Sequence, residues 1–175
     1  MAYLMRFPRF LLVFATLGLF VAGCGEGGLS HDTPTALAES LFKTLQSNDV
    51  ASTTAFLPTE GDLRETYDAA LERHGEEKIG PYNKERSEAA VEEVKVKMHG
   101  LWAEVREAGE KEGIDWAAAK QTEIEERSNE YVDQANTRVA EVALTLASGE
   151  ESYVLLVGAA EYKRGWLLAR LSLGK

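Results

Sequence analysis

The side chains able to do chemistry are few and scattered. The chain of 175 residues holds one cysteine and three histidines among 29 acids. Cys24 is the single thiol; once it is modified, the rest has no thiol nucleophile, no intramolecular disulfide and no cysteine-based metal site. A serine or threonine nucleophile needs a base beside it, and that base is usually histidine. His31 falls in a Gly-rich polar stretch, His74 at a helix end and His99 in a charged helix beside Gly100, and none accompanies a G-x-S-x-G turn. The histidines show no H-x-x-x-H or H-E-x-x-H spacing, and Glu123, Glu125 and Glu126 sit in no calcium-type loop of alternating oxygens. No Gly-rich phosphate loop occurs either, so neither a metal nor a cofactor is expected.

Carboxylates and aromatics remain. Glu161 and Glu141 are acids flanked by strand-forming residues, which makes either one a candidate proton-transfer base for a small pocket enzyme of isomerase or dehydratase type. Tyr153, Tyr162 and Trp166 are the candidate ligand-binding residues. With Phe42, Phe56, Trp102 and Trp116 they would line a pocket between helix and curved sheet. The competing reading buries these aromatics in the core and points both acids at water. It makes the protein a non-enzymatic binder of a small apolar ligand or another envelope protein, and this is the reading preferred, with the pocket enzyme as the alternative.

Charge narrows the partners. Residues 1–23 carry two arginines and no acid, which leaves 17 bases against 29 acids in the remainder, a formal −12. Such a charge repels phosphate backbones and anionic lipid surfaces, which argues against nucleic acid and against a polybasic membrane dock. Arg6 and Arg9 precede a run of twelve residues, Phe10 to Val21, that is apolar except for Thr16 and Gly18. That is too short to span a bilayer, which takes about 20 residues, and it fits a signal-peptide core of about 7 to 15.

The run ends in Val21-Ala22-Gly23-Cys24, which resembles a bacterial lipobox. The resemblance implies a signal peptide over 1–23, cleavage before Cys24, a diacylglyceryl group on its sulfur and an acyl chain, such as palmitate, on its new amino group. A membrane would then be a partner through the lipid on Cys24. At about 0.8 kcal/mol per buried methylene a single chain holds only marginally, so two or three chains make the stable anchor. Gly25 rather than Asp follows the cysteine, which implies the outer membrane, facing the periplasm, where the source has two membranes. An ordinary secretory peptide cut after Gly23, or a short buried helix with an inert cysteine, is the competing reading.

The elements behind these residues follow from period and punctuation. Gly25 to Asp32 is Gly-rich and polar, so residues 24–32 are expected as lipidated cysteine and flexible tether, ahead of a single domain over 33–175. Thr33 as N-cap and Pro34 at the first position open an amphipathic helix through Leu37, Leu41, Phe42 and Leu45 to Asn48. Asp49 caps a short turn to Phe56, and Thr59 caps a helix bearing Leu63, Tyr67, Ala70 and Leu71, a stripe expected in the core, before Gly75. Gly75 to Asn83 reads as a loop. Val91, Val94, Met98, Leu101, Trp102 and Val105 then mark a long helix closed by Gly109 and Gly113. Asp115 can cap a further helix from Trp116, while Ala119 to Arg127 is open between helix and strand. Thr137 to Ala147, Glu151 to Tyr162 and Gly165 to Leu173 read as strands joined by the turns Ser148-Gly149 and Lys163-Arg164-Gly165, an antiparallel meander. The fold class is α+β, with N-terminal amphipathic helices on a C-terminal antiparallel sheet of three or four strands.

The leading helix Ala36 to Gln46, the turn at Asn48-Asp49 and the final Gly165-Trp166 strand resemble small secreted domains of the nuclear-transport-factor-2-like kind. Gly113 to Trp116, followed by strands ending in Gly165-Trp166-Leu167-Leu168, also resembles a group of uncharacterised bacterial lipoproteins. That second resemblance implies a strand over Ala119 to Glu126 and brings no activity with it.

Overall fold

The computed structural model describes residues 31–132 and 137–174. Thr33 caps α1 (Pro34–Ser47): its hydroxyl accepts the Ala36 N–H at 3.1 Å, and Pro34 needs no partner in the first turn. Leu37, Ala38, Leu41, Phe42 and Leu45 are buried, which is the stripe the periodicity demands. Asn48 ends the helix in the left-handed region at φ 56°, a conformation asparagine tolerates. Asp49 then accepts the Ser52 N–H at 3.2 Å and opens a 3₁₀ turn, Ala51–Phe56.

Thr59 and Asp62 form a reciprocal capping box that starts α2 (Glu60–His74). The stripe Leu63, Tyr67, Ala70 and Leu71 is only half-buried, contrary to the core placement expected for it, and Asp62 is the one buried residue of this helix. The expected loop over Gly75 to Asn83 contains one helical turn, α3 (Glu76–Ile79), set between Gly75 and Gly80 at φ 80° and 74°. Asn83 accepts the Arg86 N–H at 2.8 Å to cap α4 (Lys84–Lys111). In α4 only Met98, Trp102, Val105 and Gly109 are buried.

No helix starts at Trp116. Asp115 does cap, accepting from Ala117 and Ala118 at 3.1 and 3.3 Å, but it closes a single turn. The cause is Trp116, 2% exposed, whose ring lies on α4 where a Cβ on Gly109 would come within 2.3 Å of it. Its indole N–H donates to the Arg106 carbonyl at 2.9 Å, so the chain must fold back and cannot run on.

The stretch from Ala119 resolves as a strand. β1 (Lys120–Val132), β2 (Thr137–Ser148), β3 (Glu151–Tyr162) and β4 (Gly165–Gly174) form one antiparallel sheet in the order β1-β2-β3-β4. Inward rows run Leu144 to Leu155 and Val142 to Val157 across β2 and β3, with Leu171, Leu168 and Trp166 on β4. They join α1, the second half of α4, Ile114 and Trp116 in one core cluster. The protein is thus an α+β fold whose helices α1 and α4 cover one face of the sheet.

Candidate functional site

The pocket aromatics are mostly structural. Tyr153 is 2% exposed and donates its hydroxyl to the Glu112 carbonyl at 2.6 Å, where α4 ends. Trp102 donates to the Thr44 hydroxyl at 3.2 Å, and Phe42, Phe56, Trp116 and Trp166 are buried in the same cluster. The interface between helices and sheet is filled by these rings, and the depressions left on the surface are shallow. The one beside Tyr153 and Leu173 is about 200 Å³.

The two candidate bases lie on opposite faces of the sheet. Glu161 pairs across the ladder with Trp166, on the helix-covered side, and Glu141 pairs with Gly158, whose residues point the other way. They cannot act on one substrate together. Glu161 is 43% exposed on its side chain, and one carboxylate oxygen stands 3.9 Å from Arg138 Nε. It lines two open depressions of about 230 and 350 Å³, both shared with Tyr162 and Lys163. The Tyr162 hydroxyl titrates above its ordinary range because burial disfavours the phenolate; the nearby charge of Asp62 adds to this and Arg164 opposes it. Tyr162 is therefore a neutral phenol at physiological pH.

Around Glu161 the structure assembles a polar row that the sequence reading missed. Tyr131 and Arg138 are ladder partners at the end of the sheet, and Arg138 in turn stands 3.9 Å from the Glu161 carboxylate. α2 ties to that end through three basic residues. Arg73 donates to the Tyr131 hydroxyl and stacks 5.0 Å over its ring; Lys163 meets Glu65 at 3.1 Å; Arg164 grips both Asp62 oxygens at 2.8 and 3.0 Å. Arg164 also donates to the Leu57 carbonyl at 2.9 Å, and Asp62 accepts from the Thr59 backbone at 2.7 Å. Asp62 is thus fully engaged as an anchor. Its spacing from Thr59 was a legible capping signal, but nothing in sequence pointed to Arg164, 102 residues away.

His31, expected in the tether, is packed on the domain. Its carbonyl accepts the Trp166 N–H at 2.8 Å in an isolated antiparallel bridge, and its ring meets the Phe56 ring edge-on at 5.3 Å. Gly165 is required there, because a Cβ would sit 2.6 Å from the His31 oxygen. Burial lowers the His31 pKa below 6.5, with Asp32 acting in the other direction. Cys24 lies outside the described residues. Among the described residues no group of three His, Cys, Asp or Glu side chains converges as metal ligands would, and no helix is long and apolar enough to cross a membrane. Comparison of the chain with protein-family models, curated proteins and solved structures finds no match.

Proposed function

We propose that this is a lipid-anchored protein of the bacterial envelope, held at the membrane by Cys24, whose domain works by binding a ligand or another envelope component. In a source with two membranes, Gly25 after the cysteine favours the outer membrane, facing the periplasm. The observation that carries the binding reading is the filled helix-to-sheet interface: Trp102, Trp116, Tyr153 and Trp166 occupy the volume in which a pocket enzyme would hold its substrate. What is left for recognition is surface. The fixed position of His31 adds a constraint, since Cys24 is only seven residues ahead of a packed residue and seven residues span at most about 25 Å. An anchored domain would stay close to the lipid surface.

The test is detergent-phase partitioning of the full chain against its Cys24→Ala variant. Wild type should enter the detergent phase and the variant should not, with the same thermal transition in both, because the cysteine lies ahead of the packed residues. Equal partitioning would remove the anchor from this reading.

A further inference from the structure

We propose that the face of the sheet turned away from α1 and α4 docks a cationic amphipathic helix, which deepens the binding reading above by naming its partner class. Strand register places Val139, Ala143, Val154, Leu156, Ala160 and Leu167 on this outer face, and none of the six belongs to the core cluster. Leu167, Ala160 and Ala143 are buried, while Val139, Val154 and Leu156 are half-buried and present surface. The row Glu141, Gly158 and Arg170 crosses this face between Leu156 and Ala160, so the apolar surface left open is Val154 and Leu156 on one side of it and Val139 on the other; apolar surface rimmed by polar residues marks an interaction site.

The rim supplies the charge. Along β1 the outward residues Glu123, Glu125 and Glu130 stand opposite Thr145, Ala143 and Val139, and all three are exposed. Glu141 adds a fourth carboxylate on β2, beside Gly158. The cations of this face are Lys120 at the start of β1, Arg127 held 3.3 Å from Glu125 at the edge, and Arg170, mid-strand on the opposite edge strand β4 and across Gly158 from Glu141. The acid column from Glu123 to Glu130 stands opposite Thr145 to Val139, six residue steps of β2 or about 20 Å, which is the length of an α-helix of about 14 residues. Leu156 lies two strands from Glu125, about 10 Å, close to the diameter of a helix with its side chains. A helix laid along β1 and β2 can therefore set apolar residues on Leu156 and Val154 while lysines along one flank meet the glutamates. A second copy of this chain would bring its own acid column to the same face, and charge opposes that pairing.

The probe is a synthetic 14-residue amphipathic helix of leucine and lysine, with a leucine and glutamate isomer as control, titrated against the full chain carrying Cys24→Ala. The lysine peptide should bind and weaken with salt, and the glutamate peptide should not bind. Replacing Glu125→Gln with Glu130→Gln should weaken binding by about tenfold, the loss of two exposed charge pairs. Replacing Glu93→Gln with Glu104→Gln on α4 removes equal charge elsewhere and should change it by less than about twofold. All variants should melt as wild type, and Leu156→Ser should also weaken binding. Equal binding of both peptides, equal loss from the α4 pair, or a concentration-dependent dimer dissolved by Leu156→Arg would overturn the proposal. Because this test does not involve Cys24, its failure would leave the anchor standing, and loss of the anchor would leave the face to be judged on its own.

Discussion

Two regions of this molecule are built from the same kind of helix and end in different physical states. The second half of α4 buries Met98, Trp102, Val105 and Gly109 against β4 and α1, while the first half, with α2, keeps its apolar stripe half-exposed. Val96 is 65% exposed, and an open groove of about 230 Å³ separates Leu57 to Glu60 from Val91 to Lys95. Helical period identifies a face; it does not say whether another layer waits to cover it. The core half is held by area removed from water, whereas the arm of α2, α3 and the start of α4 is held by a few polar ties. Those ties are Asp62 to Arg164, Lys163 to Glu65, Arg73 to Tyr131, and Tyr67 packed against Tyr82 with ring centroids 5.0 Å apart.

The largest effect should come from cutting the core at its last strand. Ending the chain before Trp166 removes Trp166, Leu167, Leu168 and Leu171, each buried and each worth about 1.5 to 3 kcal/mol. That is comparable to the whole stability of a domain, about 5 to 15 kcal/mol, so no cooperative thermal transition should remain. A surviving transition would mean the core half is not the stability centre.

The arm should break at one point instead. Arg164→Met leaves the Asp62 carboxylate, 5% exposed, without its cation; breaking such a pair costs about 3 to 5 kcal/mol when fully buried, and the 20% exposure of Arg164 puts the expectation at the lower end. Hydrogen exchange should show α2 deprotected before the sheet. If Leu63→Ala destabilises as much as Arg164→Met, apolar packing holds the arm as well and the contrast fails. Back in the core half, Gly109→Ala drives a methyl into the Trp116 ring and should cost about 1 to 3 kcal/mol, read as a lower denaturation midpoint with unchanged slope.

What could be read from sequence follows the same division. The strands β2, β3 and β4 were legible because both inward and outward residues repeat with period two and the connections between them, Gly149-Glu150 and Lys163-Arg164, are two residues long. β1 was not. It is an edge strand with charged residues on both faces, and register shifts at Gln121/Glu123 and Glu126/Ser128 break its alternation. Such bulges and charges protect an edge from pairing and erase the pattern that would announce a strand. The N-cap of α2 at Thr59 was legible, its exposure was not, since burial depends on where Arg164 and Tyr131 arrive. Of the candidate site, the positions of Glu161 and Glu141 on strands were readable, but their opposite faces required the register. Substituting either by Gln should change stability by under about 0.5 kcal/mol, as expected of an acid that reaches the surface and, among the described residues, loses at most the ion pair of Glu161 with Arg138.

The smallest expected effect decides on which side of the contrast His31 falls. Its ring rests on Phe56 and its Nδ1 is buried without a hydrogen-bond partner, while its carbonyl ties to Trp166, so it touches the core half and not the arm. Burial depresses its pKa in the folded protein, so above about pH 6.5 the neutral ring is present in both states and its contribution to stability is complete. As pH falls below that value the unfolded chain takes the proton first, and the contribution is lost as pH falls through the folded value. His31→Phe keeps the ring contact and removes the titration. Between about pH 7.5 and about pH 5.5 the melting temperature of wild type should therefore fall further than that of the variant, with the carboxylates common to both cancelling in the difference. Parallel pH dependences would mean that the ring is solvated in solution, and the packed region would then start at Thr33 with the cap of α1.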